Sequence, residues 1–194
     1  MSAISSWVGG KLHRLLGDFC DVHRLGWVFP ADIGYQCFQG SDGIVRRPDV
    51  SFIRLGRLPN EHLPDGYIAI PPDLAAEVVS MNDLAYELDR KVSRYLKAGV
   101  HLVWVINPDL RIMRVHRADG TVTALYEPDV LTGEEVVPGF RCSVRDLFPP
   151  QAAREDGRGS RARSESGVSL RGEGGSNPRL RSPEPRVPIS TDPG

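Results

Sequence analysis

Apolar residues recur at helical spacing near the start of the chain. Ile4, Val8, Leu12, Leu15 and Leu16 share one face, with Lys11 and Arg14 on the polar side. This predicts an amphipathic helix over residues 5–22 that ends near His23–Gly26. Residues 27–37 alternate loosely, as a strand interrupted by Pro30-Ala31-Asp32, and Gly40-Ser41-Asp42-Gly43 carries turn chemistry. Residues 44–53 return as the antiparallel partner, giving a hairpin. Pro48 cannot donate to a ladder, so it marks a strand start or a bulge. Residues 54–73 hold four Pro and two Gly and read as a long loop, a length that points to a functional role at the site edge. Residues 74–106 then read as strand, helix, strand. The first strand, 74–79, is apolar except for Glu77. The helix, 82–98, has Asn82 or Asp83 as cap and Leu84, Leu88, Val92 and Leu96 as its apolar stripe, and Gly99 fits the position after its C-cap. The second strand, 100–106, is nearly all apolar, as a strand covered on both faces is. Strands over 111–117 and 121–126 follow as a meander around Ala118-Asp119-Gly120. Arg111, Arg114 and Arg117 do not keep a period of two and read as a partly basic edge. The core closes near Leu147-Phe148-Pro149.

Composition divides the 194 residues into a folded domain, 1–150, and an appendage, 151–194. The appendage has seven Gly and five Pro, eight Arg and no aromatic residue, so it is expected to be disordered. The formal net charge of −1 hides an uneven split, −3 in residues 1–150 and +2 in the appendage. An acidic domain argues against a broad, non-specific nucleic-acid footprint but leaves room for a local basic groove. Cys20, Cys37 and Cys142 are widely spaced and form no CxxC, which excludes a structural zinc motif or a disulfide framework and leaves reduced thiols as the expectation. No apolar run is long enough to span a membrane, and the N-terminus lacks a signal-peptide pattern. The expected location is cytoplasmic, away from membranes.

Glu77 changes the picture, because an unpaired carboxylate in a buried strand costs several kcal/mol or more, on the order of a full desolvation penalty. It needs a cation. Either a nearby arginine supplies it, in a purely structural ion pair, or Glu77 is functional, as a metal ligand or a general base. Asp49 stands at the foot of another apolar strand; it is either an ordinary turn aspartate or a second ligand. Glu87 and Lys91 follow in i, i+4 order, the geometry of a weak surface pair. Lys91 also borders the Leu88–Val92 stripe, from which it can reach over the end of the sheet. It is one of three lysines against twenty-one arginines. His13, His23 and His62 read as surface residues. Two carboxylates from adjacent strands, with help from the Val78 carbonyl, can hold a divalent cation that stabilises charge on a phosphate and activates water. A lysine beside them would stabilise the transition state. This is the logic of a metal-dependent phosphodiesterase.

The segments RRPDVSFI, AAEVVS, KVSRYLKAGV and HLVWVINP, in this order, resemble the Uma-two family of restriction endonucleases, a branch of the PD-(D/E)xK superfamily. The likeness runs over residues 10–148 and includes the closing VVPGFRCSVRDLF. It implies an α/β, restriction-endonuclease-like fold: a mixed β-sheet flanked by helices. It implies Mg²⁺ or Mn²⁺ as cofactor and DNA as partner, with a homodimer left as one option for assembly. Asp49 and Glu77 match the metal ligands. The usual lysine position, two after the glutamate, is Val79; the lysine of this branch lies on the following helix, which points to Lys91, and Glu87 matches an acidic position of that helix. Two departures stand out. An acidic segment that the family carries before its first long helix has no counterpart here, and Met81 replaces a proline. A catalytically idle relative that binds nucleic acid or protein is therefore an alternative, and an enzyme acting on a small phosphorylated metabolite is a third reading.

Overall fold

In the computed structural model, residues 2–38, 45–80 and 84–150 are described. The first helix, α1, spans Ala3–His23. Ser2 caps it through a reciprocal box with Ser5, which satisfies N–H groups that would otherwise lack partners. Its inward stripe is Ser5, Val8, Gly9, Leu12, Leu16 and Cys20. Ile4, expected on that stripe, is exposed. The helix is rotated so that small residues, not Ile4, meet the sheet at its N-terminal end.

Six strands form one sheet: β1 (Gly26–Pro30), β2 (Val50–Arg54), β3 (Leu74–Val78), β4 (Leu102–Asn107), β5 (Ile112–Arg117) and β6 (Val122–Leu125). Their spatial order is their chain order. All neighbours are antiparallel except β3 and β4, which run parallel across the crossover helix α2 (Ala85–Lys97). The mixed α/β sheet with flanking helices is thus as expected. A small two-stranded sheet, β7 (Val130–Thr132) with β8 (Arg141–Ser143), closes one end of the domain; the sequence pattern gave no strand there.

The sheet alternates between two layers. Phe52, Leu74, Ala76, Trp104, Ile106, Met113 and Val115 pack beneath α1. Ala75, Val103 and Val105 face the other way and pack with Val92 and Tyr95 of α2. A third cluster, Tyr35, Ile53, Leu58 and Ile68, ties the loops at 31–38 and 55–70 to the β1 side. The thiols stay unpaired; burial pushes Cys20 and Cys142 up to about 12 and Cys37 up to about 11, so all three are protonated and unreactive near neutral pH.

Several expectations change. The paired stretch of the first hairpin is short, Pro30↔Val50 to Gly26↔Arg54, and Tyr35 and Arg46 meet in an isolated bridge instead of a continuous strand. Pro30 and Pro48 explain this, since neither can donate to a ladder. The turn expected at Gly40–Gly43 lies outside the described residues, as do the caps proposed at Asn82 and Asp83, the Met81 departure and residues 151–194. Leu84 is the N-cap residue of α2 and is half exposed, not part of its apolar stripe. Gly99, at φ 98°, takes the left-handed position after Ala98, as expected. The arginines of β5 form no basic edge. Strand β6 covers β5, Arg111 pairs with Glu127, and Arg117 holds Glu134 at 2.6 Å.

Gly26 offers a sharp packing test. A Cβ there would lie 2.1 Å from the Ile53 carbonyl oxygen and 2.7 Å from the Phe52 ring. Gly26→Ala is expected to cost about 3 kcal/mol, because backbone on the partner strand cannot yield. Chemical denaturation measures it; an unchanged midpoint would mean that the β1–β2 pairing is softer than drawn.

Candidate active site

Glu77 sits near the C-terminal end of β3 on the α2 side of the sheet and is 5% exposed. Its two carboxylate oxygens have separate donors, both from one face of α2. Lys91 Nζ donates to Oε2 at 2.9 Å, and the Tyr95 hydroxyl donates to Oε1 at 2.7 Å. Positions 91 and 95 are i and i+4, so one helical face presents both groups to the same carboxylate. The cation beside Glu77 is therefore Lys91 and not an arginine.

Burial drives the Glu77 pKa above its ordinary value. The Lys91 charge and the hydrogen bonds from Tyr95 and Lys91 oppose this, and the negative charge of Asp49 adds to it. Tyr95 is pushed well above the usual phenol range by its own burial and then by Glu77. It therefore remains a donor at any physiological pH.

Asp49 immediately precedes β2. The pairing Val50↔Ala76, continued by one residue, sets Asp49 across from Glu77. Its Oδ2 accepts the Val78 N–H at 2.7 Å, which fixes its carboxylate against β3. The Val78 group that meets Asp49 is thus the N–H. Gly9 of α1 lies alongside: a Cβ there would meet Asp49 Cβ and Val78 Cγ2 at 3.9 Å, an ordinary van der Waals contact. Glu87 lies elsewhere, in the lining of a cleft of about 290 Å³ with Arg46, Arg90, Lys91 and Arg94.

The structure sets Lys91 directly on Glu77, and it holds Asp49 against the Val78 N–H beside α1, where its charge is felt at Glu77. Tyr95 and Arg46 were missed by sequence reading. Tyr95 had a usable signal, four residues beyond Lys91 on the inner face, because a buried tyrosine hydroxyl needs an acceptor. Another buried carboxylate, Asp73, stands at the opposite end of β3. It is satisfied by Arg57 at 3.0 Å and by the Arg54 N–H at 2.9 Å, and serves as a structural clamp.

The donor set bears on metal binding. Among the described residues no three His, Cys, Asp or Glu side chains gather in a metal-holding group. This disfavours zinc-type sites, which take three or four protein ligands. A Mg²⁺-type cation commonly uses one or two carboxylates, with waters and substrate phosphates filling the rest. Asp49 and Glu77 fit that smaller requirement, since a carboxylate oxygen that accepts one hydrogen bond retains a second lone pair.

Among the described residues no helix is long and apolar enough to cross a membrane. No curated protein matches the chain. One solved structure similar to it is a crystal structure described as a putative nuclease belonging to DUF820 from Anabaena variabilis ATCC 29413. The two superpose with a TM-score of 0.66 at 19% identity, over 76% of this chain and 82% of the other. At that identity the likeness establishes a shared fold. The model of the Uma2 family, described as "Putative restriction endonuclease", matches residues 1–145. That span takes in α1, the whole six-stranded sheet and every residue of the Asp49–Glu77–Lys91–Tyr95 cluster, and this chain belongs to the Uma2 family.

Proposed function

We propose that this protein is a metal-dependent endonuclease that hydrolyses DNA phosphodiester bonds, using Mg²⁺ or Mn²⁺. The observation that carries the reading is the buried Glu77, set across from Asp49 with the Lys91 ammonium 2.9 Å away. The family description and the nuclease title of the structural relative support it. In this reading Asp49 and Glu77 hold the cation and the Val78 N–H keeps Asp49 aimed at it. A contribution from the Val78 carbonyl is part of the same proposal. When bound, the cation supplies Lewis acidity at the phosphate and a water of lowered pKa. Lys91 lies where negative charge develops on the phosphoryl oxygens and stabilises it. Tyr95 is a positioning residue, since its hydroxyl locks Glu77 in one rotamer. Glu87, at the rim of the arginine-lined cleft, is an auxiliary acid that can orient water there.

One observation favours a second reading. Glu77 already has a donor on each oxygen from within the protein, and no third acidic or histidine ligand joins it among the described residues. A non-cleaving module that binds nucleic acid or protein is consistent with such a self-satisfied site. Incubating the protein with supercoiled plasmid, single-stranded DNA and RNA across a Mg²⁺ and Mn²⁺ titration separates the readings. Cleavage of DNA that depends on the divalent ion is expected; none on any substrate would leave the binding module.

Metal binding has a readout of its own. A ligand that binds only the folded state stabilises it by about 2.7 kcal/mol at a hundredfold excess over Kd. Millimolar Mn²⁺ is therefore expected to raise the thermal midpoint at pH 8, and Asp49→Asn should abolish the rise. An equal rise in the variant would place the cation elsewhere.

A further inference from the structure

The three arginines of the cleft beside Lys91 have no part in the chemistry above. The cleft measures about 290 Å³, and among the described residues its lining comprises Arg46, Arg90, Lys91 and Arg94 with one acid, Glu87. Positive side chains thus predominate in this lining, in a domain whose overall charge is negative. Two separate parts of the fold deliver them: Arg46 comes from the segment leading into β2, three residues before Asp49, and the others from α2.

Four arginines elsewhere on the domain are occupied. Arg57, Arg111 and Arg117 pair with Asp73, Glu127 and Glu134, and Arg54 donates to the carbonyls of Glu135 and Val136. Among the described residues, no carboxylate lies within ion-pairing distance of Arg46, Arg90 or Arg94. The Nε of Arg46 is buried and has no hydrogen-bond partner there.

Arg46 is also rigidly set. Its N–H donates to the Tyr35 carbonyl at 3.0 Å and its carbonyl accepts the Tyr35 N–H at 2.8 Å. Tyr35 is itself fully buried and bonded to Ser51 through its hydroxyl at 2.7 Å. The positive charge of Arg46 is felt by the Tyr95 phenol, the residue that bonds Glu77.

We propose that Arg46, Arg90 and Arg94 form a seat for a second phosphate of the substrate strand, next to the one that Lys91 and the carboxylates address. Guanidinium groups present planar forks of donors that match phosphate oxygens in pairs, and they remain charged at any working pH. Lys91 joins the two places, because it lines the cleft while its Nζ reaches Glu77. The substrate class is then a polynucleotide with consecutive phosphates, not an isolated phosphodiester or a small phosphorylated metabolite. This rests on the nuclease reading for the identity of the strand, but it concerns binding and is tested as binding.

The test uses a fluorescein-labelled 12-nucleotide single strand and the full chain in Ca²⁺ buffer, with anisotropy read across a salt series. Each phosphate released from an arginine lowers the slope of log K against log salt by roughly 0.7 for single strands. Arg90→Gln/Arg94→Gln changes exposed and half-buried positions on α2 and should weaken binding at least tenfold while lowering the slope by about 1.4. Arg46→Lys keeps the charge and loses the fork, and should weaken binding by a smaller factor at nearly constant slope. Arg141→Gln, on exposed β8, serves as the control. Unchanged affinity and slope in the α2 double variant overturn the seat, even if wild-type protein cleaves plasmid. Conversely, slope-dependent binding by a protein that cleaves nothing would retain the seat and reject the nuclease reading.

Discussion

Lys91→Ala is expected to lower the rate of plasmid cleavage at saturating Mg²⁺ by about 10²-fold or more, as when a transition-state charge stabiliser is lost. It is also expected to destabilise the protein, which a surface lysine would not. A solvent-facing Glu87–Lys91 pair would contribute at most about 0.5 kcal/mol. Here the ammonium meets a carboxylate that is 6% exposed, while the lysine side chain itself is 38% exposed. Removing one partner of a fully buried pair costs about 3–5 kcal/mol; with the lysine partly solvated, about 1–3 kcal/mol is the expected range. The loss should depend on pH. Burial already raises the Glu77 pKa, and the Lys91 charge holds it down. Without that charge the pKa rises further. The deficit is therefore largest above it, near pH 8, and shrinks on acidification as Glu77 takes up a proton. Thermal melts from pH 5 to pH 8 read this directly. Lys91→Arg should not restore turnover, because a planar guanidinium does not replace a compact ammonium in a closed site. Full activity in Lys91→Ala would remove the lysine from the mechanism.

Glu77→Gln is expected to move stability and activity in opposite directions. A carboxyl whose folded pKa is raised adds stability that is fully present below its unfolded pKa, near 4.5, and is lost as pH rises through the folded value. At pH 8 the ionised Glu77 is therefore a net cost to the fold. Gln keeps the shape and still accepts from Tyr95. The lysine it abandons is exposed enough to stay hydrated. Without divalent ions, the variant should be more stable than wild type at pH 8 by about 1–2 kcal/mol, with the gap closing towards pH 4. DNA cleavage should fall to background, because a neutral amide is a poor ligand for a hard cation. Such opposition is characteristic of functional sites, where strain is retained for chemistry. A lower melting point at pH 8 would show instead that the Glu77–Lys91 pair is net stabilising.

The parts of this site that could be read from sequence were those where one residue contradicts its surroundings. Glu77 breaks an apolar strand, and its need for a cation follows from desolvation alone. Lys91 is a rare lysine in an arginine-rich chain, at the border of a helical stripe. Asp49 follows a proline at the foot of a strand. The strand–helix–strand unit around them was legible because two short apolar runs flank a segment whose apolar residues recur at helical spacing. Tyr95 and Arg46 were missed, for different reasons. Tyr95 is apolar enough to pass for core, and only the facing carboxylate reveals its hydroxyl as functional. Arg46 gains meaning from the bridge to Tyr35, a contact between irregular segments that no local pattern encodes. The β7–β8 pair was missed because three-residue strands carry too few positions for alternation to show.

The order of strands in the sheet has a consequence for how the protein is made. No strand is inserted between two that precede it in the chain, so during synthesis each strand can add to the growing edge as it emerges. Asp49, Glu77, Lys91 and Tyr95 have all been translated by the time β4 ends at Asn107. At that moment β4 is itself the open edge, and Trp104 and Ile106 still lack Met113 and Val115 beside them. The ribosome thus finishes the reactive groups before it finishes the floor on which they rest. Chains released before residue 117 would carry every group of the site on an uncovered, adhesive strand, and would be lost to self-association before they could act.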